Sequence, residues 1–468
     1  MLIRDAELDG RRVSVRIAGG CIAAIDTDLP ARDDPVVEAG GGALLPGLQD
    51  HHLHLYALAA RRESVSCGPP DVRDAEGLSQ VLVAASKRSA GWLRGVGYHE
   101  SVAGDIDRGW LDEQLGDRPV RIQHRGGRLW ILNSAALDQL APTAADPLER
   151  IDGRLTGRIY DADAWLRDRL GSQRPALGSI SRQLARHGIT GVTDTTPQND
   201  LDALQAFAAA QASGALLQNL RMMGGAALDT AEHANSDRLR AAAHKVHLLE
   251  SRLPGFEACC AAVRRSHAVD RGVAFHCVTR TELVFALGVL REAGSRPGDR
   301  IEHASITPLE LIPLFHDLGL TVVTQPGLVL SRGDRYLADV DSDDQRDLYR
   351  LRSFVDADIA LAGSSDAPFG EPDPWTAMQA AVERRTLEGR TLGAGEAVSP
   401  EQALALYTSP LDAPGRAAPP IARGAVADLC LLDRGWATAR TDLSAVRVRL
   451  TLRGGEPIYE ARNLRAAP

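Results

Sequence analysis

Eight apolar segments rich in β-forming residues recur along the chain with helical stretches between them, and this alternation limits the fold more than any other feature. A strand followed by a helix, repeated, is typical of parallel strands joined by crossover helices. Eight such units predict an α/β protein with a (β/α)8 TIM barrel. The predicted strands are residues 43–49, 188–194, 216–222, 245–249, 273–276, 300–303, 320–325 and 359–366.

The stretch between the first two predicted strands is far too long to be a single crossover helix. About 120 of its residues must form an insertion with elements of its own, including strand candidates at 92–98 and 120–124. We expect this insertion, about residues 60–180, to lie over the active-site mouth of the barrel.

The two ends of the chain resemble each other more than they resemble the middle. Short β-type runs broken by Gly and Asp turns occupy 13–17 and 21–25 near the start, and 425–432, 446–452 and 456–459 near the end. The sequence therefore predicts a small composite β-sandwich built from 1–46 and 415–468, beside a barrel domain of 47–414. A chain of 468 residues is long enough for both.

Charge and composition restrict the partners. The formal net charge is −9 and no Lys/Arg cluster with interleaved aromatics is present, which argues against nucleic acid. Asp5 stands where a signal peptide needs an apolar run, and no later run approaches a membrane span. The six cysteines form no CxxC pair and no disulfide framework. We therefore expect a cytoplasmic protein that acts on a small molecule and has no membrane partner.

Side chains that can bind a metal ion lie at or just past the ends of several predicted strands, on the face where barrel enzymes build their sites. His52 and His54 follow strand one, and on an extended backbone residues at i and i+2 point the same way. His276 ends strand five, His303 ends strand six and Asp366 ends strand eight. Each has an ordinary explanation when taken alone, as a core or surface histidine or as a helix N-cap. Together they predict a shared divalent metal.

Seven short motifs are spread over almost the whole chain. They are 45–54 (LPGLQDHHLH), 133–137 (NSAAL), 156–157 (TG), 300–304 (RIEHA), 325–326 (QP), 363–368 (GSSDAP) and 424–429 (GAVADL). In this order they resemble the amidohydrolase superfamily. More narrowly, they resemble its branch of N-acyl- and formamide-cleaving hydrolases that includes N-substituted formamide deformylase, known as amidohydrolase family 3.

The resemblance implies a sandwich built from both termini, in agreement with the strand pattern. It also implies a lysine at the end of strand four that CO₂ converts into a carbamate bridging two metals, and it proposes Lys245 for this role. Lys245 stands at the start of the predicted fourth strand, and an ordinary strand-end lysine is the alternative. Imidazole, carboxylate and carbamate ligands suit zinc first, and also iron, manganese or nickel. We therefore expect one or two divalent ions, with Zn²⁺ as the first candidate.

Two segments depart from the family pattern. Residues 277–280 (CVTR) replace a Gly-Asp-Arg-like sequence, and Arg128 stands where the insertion of related chains often has a histidine. Arg128 or His124 is therefore a candidate substrate-binding residue, with a surface salt bridge as the alternative for Arg128. Tyr98 and Arg332 are further candidates, and a solvated polar loop is the alternative for Arg332. The family habit suggests a homodimer as one assembly to test.

These residues predict hydrolysis of a carbon–nitrogen bond in a small amide, formamide or cyclic amide. The metal lowers the pKa of a bound water, and Asp366 accepts the proton and passes it to the departing nitrogen. His303 or Tyr98 would help to polarise the carbonyl oxygen.

Two alternative functions stay open. A single-metal aminohydrolase that deaminates a nitrogen heterocycle typically carries a glutamate three residues after the strand-five histidine, where this chain has Thr279. A non-catalytic barrel scaffold would be expected to lose metal ligands, whereas every expected ligand position is filled here.

Overall fold

The structure is a computed structural model, and it describes residues 1–69, 71–87, 91–171, 174–230 and 236–462. It divides into two compact units. One consists of Met1–Leu55 with Leu177–Pro468, and the other is Tyr56–Ala176. Strand and helix numbers follow chain order across both units.

Eight parallel strands form the barrel of the first unit, and strands that follow each other within it are neighbours in the sheet. They are β6 (Leu48–Leu53), β13 (Ile189–Asp194), β14 (Asn219–Gly224), β15 (Leu239–His247), β16 (Val273–Cys277), β17 (Arg300–His303), β18 (Thr321–Thr324) and β19 (Ala360–Gly363). At the seam between β19 and β6, the Asp366 N–H donates to the His52 carbonyl (2.8 Å) and the His54 N–H donates to the Ala367 carbonyl (2.8 Å). The predicted (β/α)8 barrel is confirmed.

Three strand boundaries differ from the prediction in ways that move candidate site residues. The last strand, β19, ends at Gly363 and not at Asp366, because the left-handed backbone of Asp366 (φ 54°) cannot continue a strand. The predicted strand 43–49 is divided between a short sandwich strand and β6, so His52 lies within a barrel strand. The fourth strand, β15, begins at Leu239 instead of Lys245, and Lys245 therefore lies near its C-terminal end. Three alanines and two basic residues precede Lys245 in β15, and their weak β propensity hid the start of the strand.

The strands of both termini form two four-stranded sheets. The first, in the order β3-β2-β1-β4, and the second, in the order β22-β21-β20-β5, share one apolar core that includes Ile3, Val15, Leu431 and Leu450. Alternating side chains from each sheet enter this core, as expected of a sandwich. The strands are β1 (Leu2–Leu8), β2 (Arg11–Ala18), β3 (Cys21–Asp26), β4 (Val36–Glu38), β5 (Leu44–Pro46), β20 (Leu429–Leu432), β21 (Val448–Arg453) and β22 (Glu456–Glu460).

Helices connect the barrel strands, and several begin at side chains that cap them. Thr279 and Glu282 form a capping box at the start of α10, and Ser399 and Gln402 form one at the start of α16. The helices of this unit are α7 (Gly178–Arg186), α8 (Leu201–Ala212), α9 (Phe256–Ala268), α10 (Arg280–Ala293), α11 (Ile312–Asp317), α12 (Gly327–Asp339), α13 (Ser342–Gln345), α14 (Arg352–Asp356), α15 (Pro374–Glu383), α16 (Pro400–Thr408) and α17 (Trp436–Ala439).

The second unit has a six-stranded sheet of its own in the order β11-β12-β10-β9-β8-β7. Its strands are β7 (Val65–Ser66), β8 (Leu93–Tyr98), β9 (Val120–His124), β10 (Leu129–Leu132), β11 (Leu148–Ile151) and β12 (Arg154–Tyr160). Its helices are α1 (Leu55–Arg62), α2 (Ala75–Ser86), α3 (Glu100–Ala103), α4 (Arg108–Leu115), α5 (Ser134–Leu140) and α6 (Asp163–Leu170). Within the described residues of either unit, no helix is both long and apolar enough to cross a membrane.

Candidate metal centre

Three of the predicted ligands meet at the barrel seam. Asp366 Oδ1 lies 3.4 Å from His52 Nε2 and 3.5 Å from His54 Nε2. One ligand atom from each residue lies within 4.8 Å of the others. The seam hydrogen bonds fix this arrangement, and Asp366 adopts a left-handed backbone (φ 54°) just beyond β19. Two imidazoles and one carboxylate in this arrangement form a ligand set for a divalent ion.

Two further histidines extend the cluster. The ring centre of His303 lies 4.7 Å from that of His52 and 4.4 Å from that of His276. His303 Nε2 and Lys245 Nζ are buried and lack a hydrogen-bond partner among the described residues. Leaving a buried polar atom unpaired is costly. The unpaired nitrogens of His303 and Lys245, close to the candidate ligands His52, His54 and Asp366, therefore fit a metal-binding site.

The other ring nitrogen of three histidines is already hydrogen-bonded. His52 Nδ1 contacts the Glu302 carboxylate, His54 Nδ1 lies 3.1 Å from the Thr196 hydroxyl, and His303 Nδ1 lies 2.9 Å from the Gln325 amide oxygen. These bonds orient each ring so that Nε2 remains for a metal.

Burial and charge keep His52 and His303 neutral and Asp366 ionised. Burial, together with the charge of Lys245, lowers the pKa of His52 to about 3. Burial would raise the pKa of Asp366, but the hydrogen bond with His54 and the nearby imidazoles hold it well below its ordinary value. Burial lowers the pKa of Lys245 to about 8. Neutral imidazole and ionised carboxylate are the forms that bind metal.

Comparison with known proteins agrees with this geometry. A family model described as the amidohydrolase family matches residues 35–459. The chain belongs to the amidohydrolase family. The predicted resemblance is thereby confirmed, as is the prediction of a hydrolase that acts on carbon–nitrogen bonds.

This amidohydrolase is similar to curated and solved proteins over nearly its whole length. It is 26% identical to N-substituted formamide deformylase from Arthrobacter pascens, over 96% of this chain and 95% of that protein. An uncharacterised metal-dependent hydrolase from Pyrococcus furiosus has a TM-score of 0.75 at 21% identity, covering 92% of this chain and 98% of that one. Atrazine chlorohydrolase from Arthrobacter aurescens, solved in complex with zinc, has a TM-score of 0.57 at 16% identity, covering 98% of this chain and 95% of that one. The two solved structures share the fold of this amidohydrolase.

Glu302 is the most important site residue of the amidohydrolase that sequence reasoning missed. Its buried carboxylate lies between His52 Nδ1 and the Arg300 guanidinium, and Arg300 also donates to the His51 carbonyl (2.7 Å). Burial would raise its pKa, but the charges of Arg300 and Lys245 hold it well below its ordinary value. In a regular strand, the consecutive residues Glu302 and His303 would point to opposite faces of the sheet. Both nevertheless contact His52, because the strand ends at His303, whose backbone is left-handed (φ 69°).

Replacing Glu302 with Gln is expected to weaken metal binding by about 10- to 100-fold, because the carboxylate that orients His52 loses its charge. A titration of the protein against a competing chelator measures the change. Glu310→Gln, which alters an exposed carboxylate a few residues further on, is the matched control. Equal metal affinity in the two variants would remove Glu302 from the site.

The predicted substrate residues of the insertion belong to the second unit. Tyr98 is buried in the core of that unit, and its hydroxyl donates to the Gly104 carbonyl (2.6 Å). His124 Nε2 lies 3.2 Å from the Glu100 carboxylate. Arg128 forms a two-point ion pair with Asp161 and is largely exposed. All three side chains are engaged within their own unit.

Arg332 lies in the first unit, and the segment around it differs from the prediction. A solvated polar loop was the alternative for Arg332, but the segment is part of helix α12. Two glycines and a run of polar residues weaken the helical pattern there.

Several neighbours of the predicted ligands were not identified from the sequence. Asp50 accepts hydrogen bonds from the Ser365 hydroxyl (2.5 Å) and the His52 N–H (3.2 Å), and it thereby ties the two sides of the seam together. His247 is exposed, with its ring centre 4.5 Å from that of His276. His247 lies two residues after Lys245 in β15, so both side chains lie on the same face of the strand. A correctly predicted start and end of β15 would have identified His247 as a neighbour of the site.

Proposed function

We propose that this amidohydrolase hydrolyses the carbon–nitrogen bond of a small amide, formamide or cyclic amide, using one or two divalent ions, with zinc first. The residues that would hold the metal are His52, His54, Lys245 as a carbamate, His276, His303 and Asp366. The convergence of His52, His54 and Asp366 within 4.8 Å carries the proposal, together with two nearby buried nitrogens that have no hydrogen-bond partner among the described residues. The zinc complex of atrazine chlorohydrolase supports the choice of metal.

Asp366 is the group that moves the proton. A bound divalent ion supplies an activated water at neutral pH and polarises the substrate carbonyl. The Asp366 carboxylate is ionised and lies at the centre of the cluster, so it accepts the proton of the attacking water. The resulting carboxylic acid gives that proton to the nitrogen of the breaking bond, which leaves as an amine. His303 Nε2 has no partner among the described residues, and because Nδ1 is held by the Gln325 amide oxygen, Nε2 would serve as a metal ligand.

Lys245 is an unusual choice of residue for this chain. Only two of its 53 basic residues are lysines, Lys87 and Lys245, and the second is buried in the barrel. A neutral amine attacks CO₂, forms an N–C bond and releases a proton, which leaves a carbamate anion. A guanidinium stays protonated and does not react in this way. The need for a carbamate ligand therefore explains why a lysine stands here and not one of the arginines used elsewhere.

Two observations disfavour the deaminase alternative. Thr279, at the position where a deaminase would carry a proton-donating glutamate, caps α10, and its hydroxyl accepts the Glu282 N–H (3.2 Å). The similarity to N-substituted formamide deformylase also favours an amide-type substrate.

A product assay separates the two functions. The metal-loaded protein is incubated with N-substituted formamides and simple amides, and in parallel with aminated nitrogen heterocycles. We expect amine release from the amides and formamides. Ammonia release from the heterocycles, with no amide cleavage, would overturn the proposal in favour of deamination.

A further inference from the structure

One cation near the metal ligands lacks a carboxylate partner. Helix α12 carries four charged residues, Arg332, Asp334, Arg335 and Asp339. Asp334 pairs with Arg390 (2.8 Å) and Arg335 pairs with Asp339 (2.9 Å). Arg332 forms no ion pair with any carboxylate in the described part of the chain.

Uncharged groups hold the Arg332 side chain in place. Its Nη2 donates to the Phe369 carbonyl (2.7 Å), and its guanidinium carbon lies 5.9 Å from the centre of the Phe369 ring. Tyr336 lies four residues further along α12, and its hydroxyl is hydrogen-bonded to that of Tyr349 (3.2 Å). Burial raises the pKa of Tyr336, and the nearby charge of Arg332 opposes this rise. A guanidinium that is already ordered loses little conformational freedom when it binds a ligand.

Phe369 links Arg332 to the metal ligands. Its ring lies edge-to-face with His54 at 6.1 Å, and its N–H donates to the Asp366 carbonyl (2.7 Å). It is nevertheless 54% exposed. An exposed aromatic ring between a metal ligand and an unpaired guanidinium offers an apolar surface with a cation at its edge.

We infer that Arg332 binds an anionic group of the substrate and that the substrate is an amide bearing a carboxylate, with its apolar part against Phe369. The amide portion of this inference rests on the proposed function. A planar guanidinium offers parallel N–H donors that match a carboxylate, and such charge-assisted bonds are stronger than neutral ones. If Arg332 only anchored α12 to Phe369, its loss would affect acidic and neutral ligands equally.

A pair of probes without a carbon–nitrogen bond tests the anion site independently of catalysis. Calorimetric titration of the metal-loaded protein compares 3-phenylpropanoate with 3-phenylpropan-1-ol. We expect the acid to bind at least about 10-fold more tightly than the alcohol, Arg332→Met to abolish this preference and Arg332→Lys to retain part of it. Arg335→Met removes a neighbouring exposed charge of the same helix and is expected to keep the full preference.

A hydrolysis assay completes the test. With N-formylphenylalanine and its carboxamide as substrates, Arg332→Met is expected to lower kcat/KM for the acid by about 10- to 100-fold and to change that for the amide little. Equal binding of acid and alcohol by the wild type, or an unchanged preference in Arg332→Met, would overturn the anion site. An Arg332-dependent preference without hydrolysis of either formyl compound would support the anion site and count against the proposed function.

Discussion

Replacing Asp366 with Asn is expected to lower kcat/KM by about 10³- to 10⁴-fold while the protein stays folded. The amide can remain near His52 Nε2 and His54 Nε2, but it cannot accept the proton of the attacking water. Its oxygen can still bind metal, so we expect much of the metal to remain. Steady-state kinetics, thermal unfolding and elemental analysis of the same preparation measure the three properties.

The matched control for this variant is Asp356→Asn. Asp356 is exposed at the end of α14 and, in the part of the chain that the structure describes, forms an ion pair only with Arg352. Its replacement is therefore expected to leave turnover and metal content unchanged. Wild-type turnover in Asp366→Asn would disprove the assignment of Asp366 as the proton carrier. Loss of all metal in that variant would mean that Asp366 serves chiefly as a ligand.

Replacing Lys245 with Ala is expected to remove one metal ion and to lower kcat/KM by about 10²- to 10³-fold, because metal stabilisation of the transition state is worth several kcal/mol. The reason is the proposed carbamate, which would convert a buried cation near His52, His276 and His303 into an anionic ligand. Protein equilibrated with ¹³C-bicarbonate should show a carbamate carbon by NMR in the wild type and none in Lys245→Ala.

The chain offers a clean control for this experiment. Lys87 is the only other lysine and is exposed, so Lys87→Ala should keep both the carbamate signal and the activity. Lys245→Arg keeps a positive charge but forms no carbamate, and we expect it to behave like Lys245→Ala. A fully active Lys245→Ala variant, or a carbamate signal lost only in Lys87→Ala, would contradict the role of Lys245.

The face of the barrel that carries the candidate site was predictable, because the carboxyl ends of parallel strands meet on one face of a barrel. Local sequence was enough to place His52, His54, His276 and His303 on that face, since each follows or ends an apolar run. Asp366 also came with a recognisable motif, although it lies beyond the end of β19 and reaches the site through the seam hydrogen bonds.

The partners of these ligands could not be predicted in the same way. Glu302 and His52 are 250 positions apart in the sequence. The Glu302 carboxylate and the His303 imidazole both reach His52 only because the backbone of His303 is left-handed. Gln325 is likewise recognisable as a partner of His303 only when β17 and β18 are side by side. Such contacts depend on tertiary proximity, which spacing along one chain does not encode.

Arg332 illustrates the same limit for substrate recognition. From the sequence Arg332 was a candidate substrate-binding residue, with a solvated polar loop as the alternative. Its importance follows from Phe369, which brings a guanidinium without a carboxylate partner close to His54. That Arg332 has no ion pair among the described residues can be recognised only from the structure. There the other charged residues of α12 pair elsewhere, Asp334 with Arg390 and Arg335 with Asp339.

The most direct test of a catalytic metal centre is the metal content of the wild-type protein, purified without chelators or added metal and measured by elemental analysis. With Lys245 carbamylated, as proposed, we expect two divalent ions per chain, with zinc first. One ion would favour the mononuclear site of His52, His54 and Asp366 and reopen deamination. No bound metal, even after reconstitution with Zn²⁺, would contradict a catalytic metal centre and favour a barrel that serves as a scaffold.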